Sequence, residues 1–372
     1  MHPRSLALGL CLLAALPACG PDDDRTRRQG GDDLPWVASN GFEHVVAAEL
    51  GEKLGGCAIG DVDRSKPGEE IVAVGLSGKV YVISFDGDTW AHEVAGQAGG
   101  EMVQVTLGDV DTNTPELEIV AVGMAEGPEE SGGEGAAHVL FRQDDEWVMQ
   151  EFHRSSALVH AAAVAELDGT PGAEVVLAGF AGVAVVMHLT DDGWQEEIAG
   201  PLPGPGKNAA VLETATTVTG VALACADGSV VSLSPSGDAW KLEILDVGPA
   251  GAARLDSDGD RLLVARDDGG LGLVPLVGGG RQDIYKEADK LRGAVWANVD
   301  PLGPAAEAAT AGYSKRITVL NEIDGVWTPR TVFEDEEKIH HLAAGHLPTV
   351  GTGVYLVSCG YSGRVVLLRK QL

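Results

Sequence analysis

GDVDRSKPGEEIVAVGLSGKVYVISFDGDTW, residues 60–90, is answered at residues 108–123 by GDVDTNTPELEIVAVG. Weaker copies run AELDGTPGAEVVLAGFAGVAVVMHLTDDGW (165–194) and ANVDPLGPAAEAATAGYSKRITVLNEIDGVW (297–327). Each copy has an apolar run, an Asp-rich turn, a strand of the EIVAVG type, a Gly-centred turn, a third strand, and Asp/Gly before Trp. The aromatic punctuation fixes the period. Trp90, Trp147, Trp194 and Trp240 are separated by 57, 47 and 46 residues, Tyr285 follows after 45, and Trp327 after 42.

Units of this length, with four short strands bounded by Gly, Asp and Pro, are the sequence pattern of propeller blades. Inner strands are expected near Cys57, Val105, Ala162, Ala209, Ala252, Ala294 and Leu342, which makes seven blades. The last copy (342–372) supplies only three strands. FEHVVAAEL, Phe42 to Leu50, is the expected fourth, so that the N- and C-terminal strands pair within one blade and leave no bare edge. The reading is all-β: a single seven-bladed propeller over residues 35–372.

The GDVD, EIVAVG and Trp-ended hairpin motifs resemble the FG-GAP/VCBS repeats of bacterial extracellular propellers, over about 330 residues. The resemblance implies an adhesion or carbohydrate-associated module, or a domain of a polysaccharide lyase or sugar dehydratase. It also implies calcium at DxDxDG loops.

The N-terminus reads as an address. Arg4 precedes eleven nearly all apolar residues, Leu6 to Leu16, too short a run to span a bilayer. LPAC (16–19) resembles a bacterial lipoprotein signal, with residues 1–18 removed and Cys19 lipidated; the alternative is an ordinary secretory cut after Ala18. Residues 19–34 (CGPDDDRTRRQGGDDL) read as a flexible acidic tether. The expected location is the cell envelope, lipid-anchored, periplasmic or surface-exposed, with the membrane as one partner. Of the five cysteines, Cys57, Cys225 and Cys359 fall in core strands, and no disulfide is expected.

Net charge is -30, from 56 acidic and 26 basic side chains. Nucleic-acid binding needs clustered cations and is excluded. With 44% hydrophobic residues the chain buries a core, and a monomer is expected.

Two constellations carry chemistry. Asp61 and Asp63 (with Glu69 and Glu70), Asp109 and Asp111 (with Glu116 and Glu118), and Asp256, Asp258 and Asp260 of RLDSDGD (254–260) lie on Asp-rich turns. They read either as turn caps or as calcium ligands, since alternate carboxylates place hard oxygens on one side of a loop. The second constellation forms when the blades are aligned. The loops leading into the inner strands supply Gln104, His160, Lys207, Arg292, His340 and His341. The turns after the EIVAVG strands supply Phe180, Tyr313 and Tyr361. All are expected on one face, converging on a funnel suited to an anionic or polyhydroxylated ligand. Of His340 and His341, only one is expected to face the axis. Residues 124–137 read as an acidic surface insertion.

No GxSxG, HExxH, phosphate loop or CxxC is present. The leading expectation is therefore a non-enzymatic binding or scaffold module for a glycan or protein partner. The alternatives are a metal-dependent lyase or dehydratase at the funnel, and a purely structural propeller with calcium loops.

Overall fold

In the computed structural model the described residues are 34–126, 133–214, 217–300 and 307–371. The leader, Cys19 and all of the tether but Leu34 lie outside them, as do residues 127–132 of the acidic insertion. The chain forms seven antiparallel sheets arranged as a seven-bladed propeller. The inner strands of blades 1 to 7 are Leu54–Gly60, Met102–Gly108, Val159–Ala165, Gly206–Glu213, Ala252–Ser257, Leu291–Trp296 and Ile339–His346. Blade 7 is closed by Phe42–Glu49, which pairs antiparallel with Arg364–Lys370, as the truncated last repeat predicts. A short fifth strand, Val37–Ser39, is added outside it.

The repeat chemistry explains the architecture. Second strands such as Glu70–Gly75 and Glu174–Gly179 are buried along their whole length, because a neighbouring blade covers each face. That is why they read as continuous apolar runs rather than alternating ones. Outer strands such as Trp90–Gln97 mix exposed with partly buried residues and have one buried position, Ala95, because one side of the blade edge meets solvent. Each of the seven apolar clusters draws on two adjacent blades; Leu54, Ile71 and Tyr81 of blade 1, for example, pack with Val357, Cys359 and Val365 of blade 7. Trp90 lies at the edge of that cluster, Trp147 at the next and Trp194 at the one after. The ring is thus cemented between blades.

The terminal glycine of EIVAVG-type strands has a steric reason. A Cβ at Gly179, Gly312 or Gly360 would come within 2.2 Å of the carbonyl oxygen of Leu158, Lys290 or Lys338, just before the inner strand. The next residue in each case donates its N–H to that same oxygen: Phe180 to Leu158, Tyr313 to Lys290 and Tyr361 to Lys338, each at 2.8–2.9 Å. Only a glycine leaves room for this bond, and the bond fixes the aromatic residue beside the start of the inner strand.

Candidate functional site

Every inner strand carries a bulge at its second residue: the register slips between Val159 and Ala161, Gly206 and Asn208, Ala252 and Arg254, Leu291 and Gly293, and Ile339 and His341. A bulge sets two successive residues against one partner and re-aims their side chains. Two rows therefore ring the axis. The second-position row is Gly55, Val103, His160, Lys207, Ala253, Arg292 and His340. The third-position row, one step deeper, is Gly56, Gln104, Ala161, Asn208, Arg254, Gly293 and His341.

The second row and its aromatic neighbours assemble much as the aligned repeats predict. His160 Nδ1 meets the Lys207 carbonyl at 2.8 Å, and His340 Nδ1 meets that of Gly55 at 2.7 Å, each in the next blade. With a carbonyl as partner, Nδ1 carries the proton and Nε2 keeps its lone pair. Asp267 bridges Lys207 and Arg292, the latter at 2.6 Å. Tyr361 stacks on His340 with ring centroids 5.5 Å apart, Phe180 lies 6.1 Å from His160, and Tyr313 and Tyr361 approach hydroxyl to hydroxyl at 3.4 Å. Arg292 stands 5.0 Å over the Tyr313 ring, Lys338 4.6 Å over the same ring, and Lys53 5.1 Å over Tyr361. Burial and the Arg254 charge keep the imidazoles neutral, bringing His160 down to about 4 and His340 to about 3.

The structure corrects the expected funnel in three ways. First, a cavity of about 500 Å³ occupies the axis, but it is lined by third- to sixth-position residues, among them Gln104, Asn208, Arg254, Asp256 and His341. His160, Lys207, Arg292 and His340 do not line it; they stand one or two residues before the lining positions on the inner strands. Second, Gln104 is buried in the third row rather than at the rim, and its Oε1 has no partner among the described residues. Third, His340 and His341 are both at the axis: the bulge between them removes the strict alternation. His341 lines the cavity, and its Nδ1 faces the Cys57 backbone N–H at 3.4 Å. Nδ1 is thus the acceptor and Nε2 the protonated nitrogen.

The residue that sequence reasoning placed elsewhere is Arg254. It is 3% exposed. Nη1 donates to the carbonyls of Ala253 at 2.8 Å and Lys207 at 3.4 Å, while Nε and Nη2 have no partner among the described residues. Burial and the nearby Arg292 lower it to about 10, so it stays protonated at neutral pH.

The acidic turns behave differently. Glu70 Oε2 accepts from the N–H groups of Val62 and Asp63, Glu118 Oε2 from Val110 and Asp111, Glu174 from Leu167, and Glu307 from Asp300. Asp63 and Asp111 fold back onto the backbone two residues on, at Ser65 and Asn113. Arg64 approaches Asp61 at 3.9 Å, and the Asp109 carbonyl accepts from Ala173 of the next blade. In RLDSDGD, Asp256 lies on the inner strand and lines the cavity, accepting from Trp296 N–H at 2.6 Å. Asp258 instead caps the turn through Asp260 and Arg261 and pairs with the Arg261 guanidinium. The alternate carboxylates of that segment therefore do not face one point. Among the described residues, the acidic and imidazole groups that gather their ligand atoms within 4.8 Å are Asp168, Glu174 and His188 on blade 3, none of which lines the axial cavity.

No protein-family model and no curated protein matches this chain. Among solved structures it is similar to the WD40 β-propeller domain of Doa1, with TM-score 0.63 and 12% identity, over 91% of this chain and 97% of that one. At that identity the likeness establishes the fold alone.

Proposed function

We propose that the chain is a non-enzymatic binding module whose partner, a hydroxyl-rich glycan, docks on the face formed by Tyr313, Tyr361, His340 and the cations around them. The carrying observation is the aromatic platform itself: three rings packed within 6.2 Å of one another, ringed by Lys53, Lys338 and Arg292, in a protein of charge -30. Aromatic faces offer sugar rings a stacking surface, and the surrounding cations and imidazoles offer hydrogen bonds to hydroxyls and carboxylates.

In this reading the module is exported and anchored through Cys19, at the cell envelope, with the FG-GAP/VCBS-like repeat supplying the scaffold. The test is retention on a panel of immobilised neutral and acidic polysaccharides. The wild-type chain is retained on at least one, and the double variant Tyr361→Ala, Lys338→Ala is not. Unchanged retention in the variant overturns the face. Radiolabelled palmitate incorporation that disappears in Cys19→Ser tests the anchor.

A further inference from the structure

The Arg254 side chain poses a problem that the platform does not solve. It is buried beneath the platform, charged, and half used. Nη1 is consumed by two carbonyls, whereas Nε and Nη2, the pair along one side edge of the guanidinium, have no partner among the described residues. Of the neighbouring acids, Asp256 accepts from the backbone N–H groups of Trp296 and Ser257, and Asp267 is already held between Lys207 and Arg292. The three imidazoles of the roof are neutral and supply no compensation. A buried guanidinium with two idle donors is costly unless something meets it.

We infer that the axial cavity is a second binding site, distinct from the platform, that takes a small hydroxylated carboxylic acid with its carboxylate held side-on by Nε and Nη2 of Arg254. The side edge of a guanidinium presents two parallel N–H groups at the spacing of the two oxygens of a carboxylate. The rest of the roof complements a hydroxyl-bearing body. Gln104 Oε1 is a buried acceptor without a donor among the described residues, which a ligand hydroxyl satisfies. His341 offers Nε2–H as a further donor, because its Nδ1 is turned to Cys57. Below the roof the wall includes five alanines, Ala162, Ala163, Ala209, Ala294 and Ala343, which keep the bore open, and lower down Trp296 and Asp256, whose carboxylate is turned to the Trp296 N–H. A volume of about 500 Å³ falls within the range of ~300–1,000 Å³ usual for small-molecule sites and is far too small for a folded partner.

The three polar groups of this roof come from blades 2, 5 and 7, so no local motif encodes them. They occupy one column of the inner-strand alignment whose other members are Gly56, Ala161, Asn208 and Gly293. Asn208 is already engaged, accepting from Leu255 N–H at 2.8 Å.

The probe is D-glucuronate, titrated calorimetrically into the full mature chain up to about 10 mM. D-glucose, D-glucuronamide and inorganic phosphate serve as comparators. Glucuronate is expected to bind at one site per chain, with glucose and the uncharged amide about 10- to 100-fold weaker, the loss expected when a charge-assisted pair is removed. Arg254→Gln loses glucuronate binding by the same factor, and Arg254→Lys recovers little of it, because an ammonium cannot reproduce the fork. Tyr361→Ala leaves glucuronate binding unchanged, which separates this site from the platform. Equal binding of acid and amide overturns the inference without any variant. No binding of glucuronate, unchanged affinity in Arg254→Gln, or displacement by phosphate at equal concentration overturns it too.

Discussion

Two kinds of buried charged side chain occur in this ring, and their surroundings differ. Glu70, Glu118, Glu174 and Glu307 open the second strands of four blades and are at most 3% exposed. Each accepts at least one backbone N–H from the Asp-rich turn of its own blade. Arg254 is as deeply buried but occurs once, with its two fork nitrogens idle above a cavity. Burial alone does not distinguish scaffold from site. Repetition with a backbone cap in every copy marks a structural device, even where one oxygen, Glu70 Oε1, is left over; a single occurrence with both fork nitrogens idle at a cavity marks a place for a ligand.

The contrast predicts opposite signs for removing the two kinds of charge, and the acidic ring carries the larger effect. Glu118→Ala leaves the Val110 and Asp111 N–H groups buried without an acceptor and is expected to cost about 1–3 kcal/mol in urea unfolding. Arg254→Met removes a buried charge that has no carboxylate partner among the described residues. Its expected effect is between zero and about 1 kcal/mol of added stability, offset in part by the lost carbonyl contacts. A loss of more than about 2 kcal/mol in Arg254→Met would make that guanidinium a structural post and dissolve the comparison.

The two regions also respond oppositely to pH. Burial lifts Glu70 to about 7 and raises Glu118 and Glu174 in the same direction. Relative to an unfolded value near 4.5, the native state then holds more protons between about pH 4.5 and 7, so this contribution is present at acid pH and lost as pH rises through 7. His160 and His340 lie at about 4 and 3, below their unfolded value of about 6.5. The unfolded chain holds more protons in that interval, so their contribution is full above about pH 6.5 and lost on acidification. Glu70→Gln should therefore gain on wild type as pH rises from 5 to 8, and His340→Gln as pH falls from 7 to 4.5. Each difference is on the order of 1 kcal/mol, read from paired thermal melts. Parallel trends in the two variants would show that one global charge effect, not two local environments, governs both.

The fold was legible because its determinants are local and repeated. The Trp period, the GDVD turn and the glycine closing EIVAVG each answer to contacts within one blade or with its neighbour, so each copy restates the rule. The pairing of Phe42–Glu49 with the last blade followed from a missing strand in the count. The aromatic platform was legible for the same reason, since Phe180, Tyr313 and Tyr361 hold one turn position. The axis was not. RLDSDGD looks like a single loop in sequence, yet the strand ends inside it: Asp256 faces the cavity and Asp258 caps the turn. The bulge, invisible to a strict two-residue period, set Gln104 and His341 one row deeper than the alignment on GDVD placed them. Writing the inner strands in register from their first residue would have exposed Arg254, with Gln104, Asn208 and His341, as the polar members of an otherwise Gly/Ala column.

The smallest expected effect concerns the acidic turns once more. If their carboxylates were poised for calcium, adding the ion would stabilise the native state by mass action, by about 2.7 kcal/mol at a hundredfold excess over the dissociation constant. But Glu118 Oε2 already holds two N–H groups, Asp111 Oδ1 holds Asn113, and Asp258 holds two backbone N–H groups and a guanidinium. In those turns of blades 2 and 5 a cation would have to displace these bonds rather than fill a gap, and the energy recovered from coordination would be spent on the N–H groups it orphans. In the blade 1 turn Asp61 Oδ1, Asp63 Oδ2, Glu69 Oε2 and Glu70 Oε1 have no hydrogen-bond partner among the described residues. With that turn neutralised by Asp61→Asn and Asp63→Asn, the melting temperature is expected to move by less than about 1 °C between a chelator and 2 mM calcium, about the resolution of the measurement. A rise of several degrees would mean that at least one turn reorganises around the ion. It would turn the acidic ring from a set of caps into a second class of site.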